Sequence, residues 1–359
     1  MLKQANPVKE IERHAATLFE ELLGRVASLK LTSMKVDPRG PDSGIDLLAR
    51  VKTGGNEYFL VGEVKQSGQP RFAREAINQL KAHLSRSKRD EIPVFIAPFL
   101  TTATQEMCRA EGVGYLDFGG NAFLSFGPVY IERSTGSKPE AKSREFRSLF
   151  KPRSAEVLRV LLRNPSRSWK LSELAEESGV SIGHVSNVRN ALADREWIAD
   201  QASGIKLASP NSLLDAWRDS YQIPAAQDLK FYTSLHGAGW QKSLREYFEN
   251  ESNDHVALAS FSAAQWIAPY ARNATNFLYA DADAIPRLER TFQLTKPAMG
   301  ENVIIWVPSD DGVFTDSFAF DEAIRCTSPL QTYLDLTKGG DRGLEAAEHL
   351  REAKLKWPK

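Results

Sequence analysis

Three residues near the N-terminus have the types and spacing needed to cut a phosphodiester. Asp46, Glu63 and Lys65 lie in two apolar runs, "GIDLLARV" and "YFLVGEV", and just past the second; the glycine turn "KTGGNE" joins the runs. In a two-stranded hairpin, opposed positions share a constant sum. A turn centred on Gly54-Gly55 sets that sum at 109 and puts Asp46 across from Glu63. Side chains alternate with period two along a strand, so Glu63 and Lys65 share a face. Directly opposed β-carbons lie roughly 5 Å apart. Two carboxylates at that separation can share a hard cation such as Mg²⁺, which takes oxygen ligands. The neighbouring amine can orient or activate a water and offset charge on a phosphate.

The surrounding elements must hold these groups in place. Apolar residues at Val8, Ile11, Ala15, Leu18 and Leu22 predict a helix over Pro7 to Leu23. After the breaks at Gly68 and Pro70, "RFAREAINQLKAHLSR" reads as a second helix. "IPVFIAPFL" is continuously apolar, as a central strand buried on both faces would be. Thr101 and Thr102 can cap "ATQEMCRAEG", which Gly112 ends. "GYLDFGGNAFLSFGPVYIERS" then reads as short strands joined at Gly119-Gly120-Asn121. This order, with Gly44-Ile45-Asp46 … Glu63-Val64-Lys65 inside it, resembles the PD-(D/E)xK nuclease superfamily, the restriction-endonuclease-like fold, over roughly residues 8–133. The resemblance implies Asp46 and Glu63 as metal ligands and Lys65 as the catalytic lysine. It implies Glu20 or Glu21 on the first helix as a further acid, and Gln79 as the polar residue on the helix after the lysine. Mg²⁺ is the implied cofactor where such a site is active. Many members of that fold keep only its architecture, for binding or scaffolding, so the resemblance leaves activity open.

At 359 residues the chain is long for one core. We expect an α/β multidomain protein. The restriction-endonuclease-like α/β domain takes residues 1–134, a polar linker 135–146, a winged helix-turn-helix 147–215 and a mixed α+β C-terminal domain 225–359. Lys plus Arg and Asp plus Glu both number 46, so net charge names no partner. The distribution is more telling. Thr135 to Lys170 holds ten basic residues against Glu140, Glu145 and Glu156, whereas Glu249 to Glu322 holds twelve acids against four bases. The basic middle suits a polyanion, and the acidic region a different task. Two distant cysteines, Cys108 and Cys326, fit a reducing compartment. No apolar run approaches the ~20 residues of a membrane helix, and no signal-like order opens the chain, so a cytoplasmic protein without a membrane partner is expected.

In the basic middle, Ser154 is placed to cap "AEVLRVLLRN", and "LSELAEESG" is a short helix ended by Gly179. Ser181 caps a third helix whose apolar stripe is Val185, Val188 and Leu192. The opposite face carries His184, Ser186, Asn187, Arg189 and Asn190, side chains that read base edges in the major groove. Trp197 and Ile198 lead into "ADQASGIKLAS", a two-stranded wing. Arg147, Lys151 and Arg153 on the flank would meet phosphates of double-stranded DNA. The segment resembles bacterial winged helix-turn-helix regulators.

Elsewhere, Asp281 and Asp283 read as solvated acids at a strand end, and the six histidines show no metal-ligand spacing. The strings "GVGYLDFGGNAFLSF", "ALASFSAAQWIAPY" and "SPLQTYLDLTKGGDRGLEAAEHLREA" resemble AbiEi-type antitoxins of type IV toxin–antitoxin systems. That resemblance implies a transcriptional autorepressor encoded beside a nucleotidyltransferase-like toxin. In this reading the C-terminal domain makes the toxin or homodimer contact. The sequence leaves three functions open: an antitoxin-type regulator, a Mg²⁺-dependent DNA endonuclease targeted by its winged helix, and a scaffold without specific DNA contact.

Overall fold

The computed structural model describes residues 7–38, 45–135, 147–250, 255–270, 273–296, 300–320 and 324–357. Gly44 and nearly all of the expected linker 135–146 lie outside the described residues. The chain divides into two compact units, Met1–Ser148 with Arg189–Ala199, and Leu149–Val188 with Asp200–Lys359.

The first unit holds α1 (Pro7–Gly24), β1 (Lys30–Val36), β2 (Leu47–Thr53), β3 (Asn56–Val64), α2 (Pro70–Leu84), β4 (Glu91–Ala97), α3 (Thr102–Ala110) and β5–β7 (Gly114–Asp117, Ala122–Phe126, Val129–Arg133). Its seven strands form one sheet in chain order. β3, β4 and β5 run parallel, and their neighbours pair antiparallel. Strand β2 alternates, burying Leu47, Ala49 and Val51 against Ala15, Phe19 and Leu23 of α1. On the opposite face, Val61 and Phe95 meet Ala73, Ile77 and Leu80 of α2 and Cys108 of α3. Strands covered on both sides must be apolar throughout, which is why "YFLVGEV" and "IPVFIA" lack polar alternation. Each fully buried Leu or Phe here contributes roughly 2 kcal/mol. Strand β1 goes unannounced in the sequence because it is a largely exposed edge strand with only Leu31 and Met34 weakly patterned.

Residues 152–207 form α4 (Pro152–Arg163), β8 (Ser168–Trp169), α5 (Leu171–Ser178), α6 (Ile182–Asp194), β9 (Ile198–Gln201) and β10 (Gly204–Leu207). The short strands form a three-stranded sheet in the order β8-β10-β9. Gly179 ends α5 at φ 62°, a left-handed cap that glycine takes without a Cβ clash. Val157, Leu158 and Leu161 of α4, Leu174 of α5, and Val185 and Val188 of α6 are buried. Helix α4 starts at Pro152 with Lys151 at its N-cap, so Ser154 lies inside the helix and does not cap it.

The rest is α7 (Pro210–Ser220), β11 (Ala225–Phe231), α8 (Gly237–Asn250), β12 (Val256–Leu258), α9 (Ser260–Ile267), β13 (Asn276–Ala280), α10 (Ile285–Thr291), β14–β16 (Val303–Pro308, Phe318–Phe320, Ile324–Cys326), α11 (Pro329–Leu336) and α12 (Gly340–Lys354). Its six-stranded sheet is ordered β11-β14-β13-β12-β16-β15. Every residue from Leu330 to Leu336 on α11 is buried. A buried polar group must find partners. Arg159 donates to Gln331 at 2.7 Å, and Gln331 donates to Asp335 at 2.9 Å. The hydroxyls of Tyr221 and Tyr279 also donate to Asp335. Burial pushes the Asp335 carboxyl up to about 7 against those hydrogen bonds. Among the described residues, no helix is long and apolar enough to cross a membrane.

Candidate functional site

The hairpin of β2 and β3 pairs Leu47 with Gly62 and Leu48 with Val61, the register that the turn position requires. Asp46 continues it: its N–H donates to the Gly62 carbonyl at 2.9 Å, and its Oδ2 accepts from Val64 N–H at 2.7 Å. Just past β3, the Lys65 N–H bonds the Ile96 carbonyl of β4 at 3.0 Å. Asp46, Glu63 and Lys65 are thus fixed by backbone bonds at the ends of central strands.

Two residues join them that sequence reasoning missed. Glu12 of α1 and Asp37, just after β1, bring carboxylate oxygens within 4.8 Å of one another and of Asp46. Asp37 sits at φ 48°, a left-handed conformation that Asp tolerates better than most residues, and its N–H bonds the Asp46 carbonyl at 2.8 Å. The α1 acid in this cluster is Glu12. Glu20 and Glu21 are exposed about two turns further on, and Glu21 pairs with Arg25 instead. Glu63, expected to share a cation with Asp46, lies outside this group of three. Its Oε1 turns to Lys65 Nζ at 3.0 Å, and Lys65 also reaches Glu75 at 3.2 Å. Gln79, one turn beyond Glu75 on α2, is half-buried, and its Oε1 has no partner among the described residues.

The electrostatics follow from crowding acids in a partly buried place. Burial raises the Glu12 carboxyl, helped by the charges of Asp46 and Asp37. Burial also raises Asp46, although the Val64 N–H and Lys65 oppose it. Glu63, 5% exposed, is pushed up to about 7 by burial first and by Asp46 second, with Lys65 pulling the other way. Burial disfavours the Lys65 ammonium, but Glu63 and Glu75 more than offset it and raise its pKa. Glu63 Oε2 is buried with no hydrogen-bond partner among the described residues. An all-carboxylate donor set with one uncommitted oxygen suits a hard divalent cation better than a soft one.

Helix α6 offers a different surface. Asn187 and Asn190 are exposed, Ser186 is half-buried, and Arg189 donates to Asn190 at 3.1 Å. The exposed Ser181 accepts weakly from the His184 N–H at 3.4 Å, as a cap would. The His184 ring instead pairs with Ser154 Oγ at 3.0 Å, so it braces α4 against α6. Ile182, 55% exposed at the helix start, is a further surface residue, apolar and so outside the expected polar face. On the flank, Arg147, Lys151 and Arg153 are exposed. Further along the stretch, Arg163 pairs with Glu177 and Asp316, Arg159 donates to Gln331, and Arg167 lies over the Trp169 ring.

Among the described residues the fold is thus mixed α/β with three sheets, carrying an acid–lysine cluster and a polar helix face. Residues 206–356, less than half of the chain, match the family described as "Transcriptional regulator, AbiEi antitoxin, Type IV TA system". No curated protein and no solved structure matches the chain.

Proposed function

We propose that this chain is a DNA-binding transcriptional regulator of the antitoxin type, reading operator DNA through α6 and neutralising a nucleotidyltransferase-like toxin. The match over residues 206–356 carries the reading. The order α4-β8-α5-α6-β9-β10 supports a winged helix-turn-helix, and the exposed amides of α6 support base contact. Arg147, Lys151 and Arg153 supply phosphate contacts on this reading, and a homodimer would match a two-fold operator. The test is a gel-shift assay on the DNA upstream of the gene. Binding that prefers this sequence, weakened by Asn187→Ala or Arg189→Ala, supports the proposal. Equal binding to unrelated DNA of the same length sinks it.

A second reading rests on the acid cluster: a Mg²⁺-dependent DNA endonuclease of the PD-(D/E)xK kind. The grouping of Glu12, Asp37 and Asp46, and the uncommitted Glu63 oxygen, favour it. These carboxylates would hold the cation, which when bound polarises a phosphate oxygen or a water. Lys65 would place its positive charge beside the scissile phosphate, held there by Glu63 and Glu75. Plasmid incubated with the protein and Mg²⁺ or Mn²⁺ tests this. Nicking lost in Lys65→Ala supports a nuclease, whereas intact plasmid in both metals leaves the cluster a binding scaffold.

A further inference from the structure

The C-terminal sheet and its helices enclose a cleft of about 450 Å³ between α8 and α9. Two indoles line it. Trp240 is nearly buried, with its ring 4.7 Å from Phe292 between centroids, and Trp266 is half-buried beside Phe320 at 5.6 Å. The polar lining is mostly amide, with His236 and Ser262 beside the amides, and no Asp, Glu, Lys or Arg contributes to it among the described residues. Asn302 is committed to the fold. Its Oδ1 accepts from the Thr233 N–H and its Nδ2 donates to the Thr233 carbonyl, both at 2.8 Å. Asn276 leans on the Asn302 carbonyl through a long 3.5 Å contact. Gln241 and Gln265 are exposed at the mouth.

Size and chemistry narrow the occupant. The volume falls within the range of small-molecule sites, about 300–1,000 Å³. A side-chain amide presents a donor and an acceptor side by side, the complement of a nucleobase edge. Indole faces accept flat rings by stacking, worth about 1–3 kcal/mol per base in other proteins. A pocket built to hold phosphate would carry several cations or a cluster of N–H donors; among the described residues this lining holds no Lys or Arg, and His236 is its one titratable side chain. We propose that the cleft between α8 and α9 binds the nucleobase of a free nucleoside or nucleotide, with Trp266 stacking the ring, Gln265 and Gln241 meeting its edge, and any phosphate left in solvent. The inference stands apart from the operator-binding reading, because none of these residues belongs to α6.

The test uses the full chain. Tryptophan fluorescence and calorimetry follow titration with adenosine, guanosine, cytidine, uridine and adenosine monophosphate, with a disaccharide as control. At least one nucleoside should bind saturably in the micromolar to millimolar range, and adenosine and its monophosphate should differ by no more than about threefold. Trp266→Leu and Gln265→Ala should each weaken binding about tenfold with the melting temperature unchanged. If Trp266→Leu proves unstable, Gln265→Ala alone decides. Absence of saturation by any nucleoside at several millimolar overturns the proposal. So does binding of the disaccharide alone, wild-type affinity in the folded variants, or a monophosphate that binds far more tightly than its nucleoside.

Discussion

Glu63 gives the sharpest test of the N-terminal geometry. Its carboxyl is 5% exposed and is pushed up to about 7, against 4.5 for an ordinary Glu. A pKa raised on folding means that the folded state binds the proton more tightly than the unfolded chain. The associated stability is fully present below pH 4.5 and is lost as pH rises through about 7. At about 1.4 kcal/mol per tenfold change, ionising Glu63 in place costs about 3 kcal/mol. Glu63→Gln keeps the shape and cannot ionise, so its stability relative to the parent should rise by up to that amount between pH 5 and pH 8. Asp335, also near 7, titrates in both proteins and cancels in the difference. Denaturation of the two proteins across that range reads the effect. Carboxyl NMR of ¹³C-glutamate-labelled protein locates the titration, with the missing resonance in the variant as assignment. A Glu63 resonance that titrates near 4.5, or a stability difference that is flat with pH, would refute the reasoning. Adding Mg²⁺ should lower the Glu63 midpoint where the four acids bind the cation.

Further outcomes follow from other positions. Arg189→Ala should cost about 1–3 kcal/mol of sequence-specific DNA binding, measured by competition gel shift, while Lys151→Ala should weaken all sequences alike and reduce the salt slope by about one. Leu192 is fully buried on α6, so Leu192→Ala should lose about 2–5 kcal/mol in urea unfolding, and a loss under 1 kcal/mol would contradict that packing. Gly204 has φ 131°, and a Cβ there would run into the Trp169 backbone of β8, so Gly204→Ala should disorder the β8-β10-β9 sheet and weaken DNA binding without abolishing the C-terminal fold. Near-native amide spectra for β8 and β10 in that variant would speak against the turn geometry.

The hairpin register was legible because a glycine turn fixes a sum, and the sum alone assigns every opposed pair. Strands buried on both faces were legible because nothing polar can interrupt them. The remaining acids were not. Glu12 and Glu20 both sit on the amphipathic α1, and which turn of a helix reaches a strand end depends on how the helix docks, not on its own period. Asp37 escaped notice because it follows an exposed edge strand whose pattern is faint, and its direction comes from a left-handed backbone that sequence pattern does not announce. His184 lies on the expected polar face by spacing, yet Ser154 on α4 claims its ring. Contacts between distant segments are the part that periodicity omits.

The string "LQTYLDL" has a consequence of its own. Gln331, Thr332, Tyr333, Leu334 and Asp335 are all hidden from solvent, and Gln331 and Asp335 are hydrogen-bonded to Arg159, Tyr221 and Tyr279. A signature placed there advertises how the domain holds itself together and says nothing of whom it meets. Substitutions in it that silence the protein in a cell should do so through abundance, with less folded material surviving proteolysis. Screens that score only phenotype would mistake that shortage for a severed contact unless steady-state levels are weighed alongside.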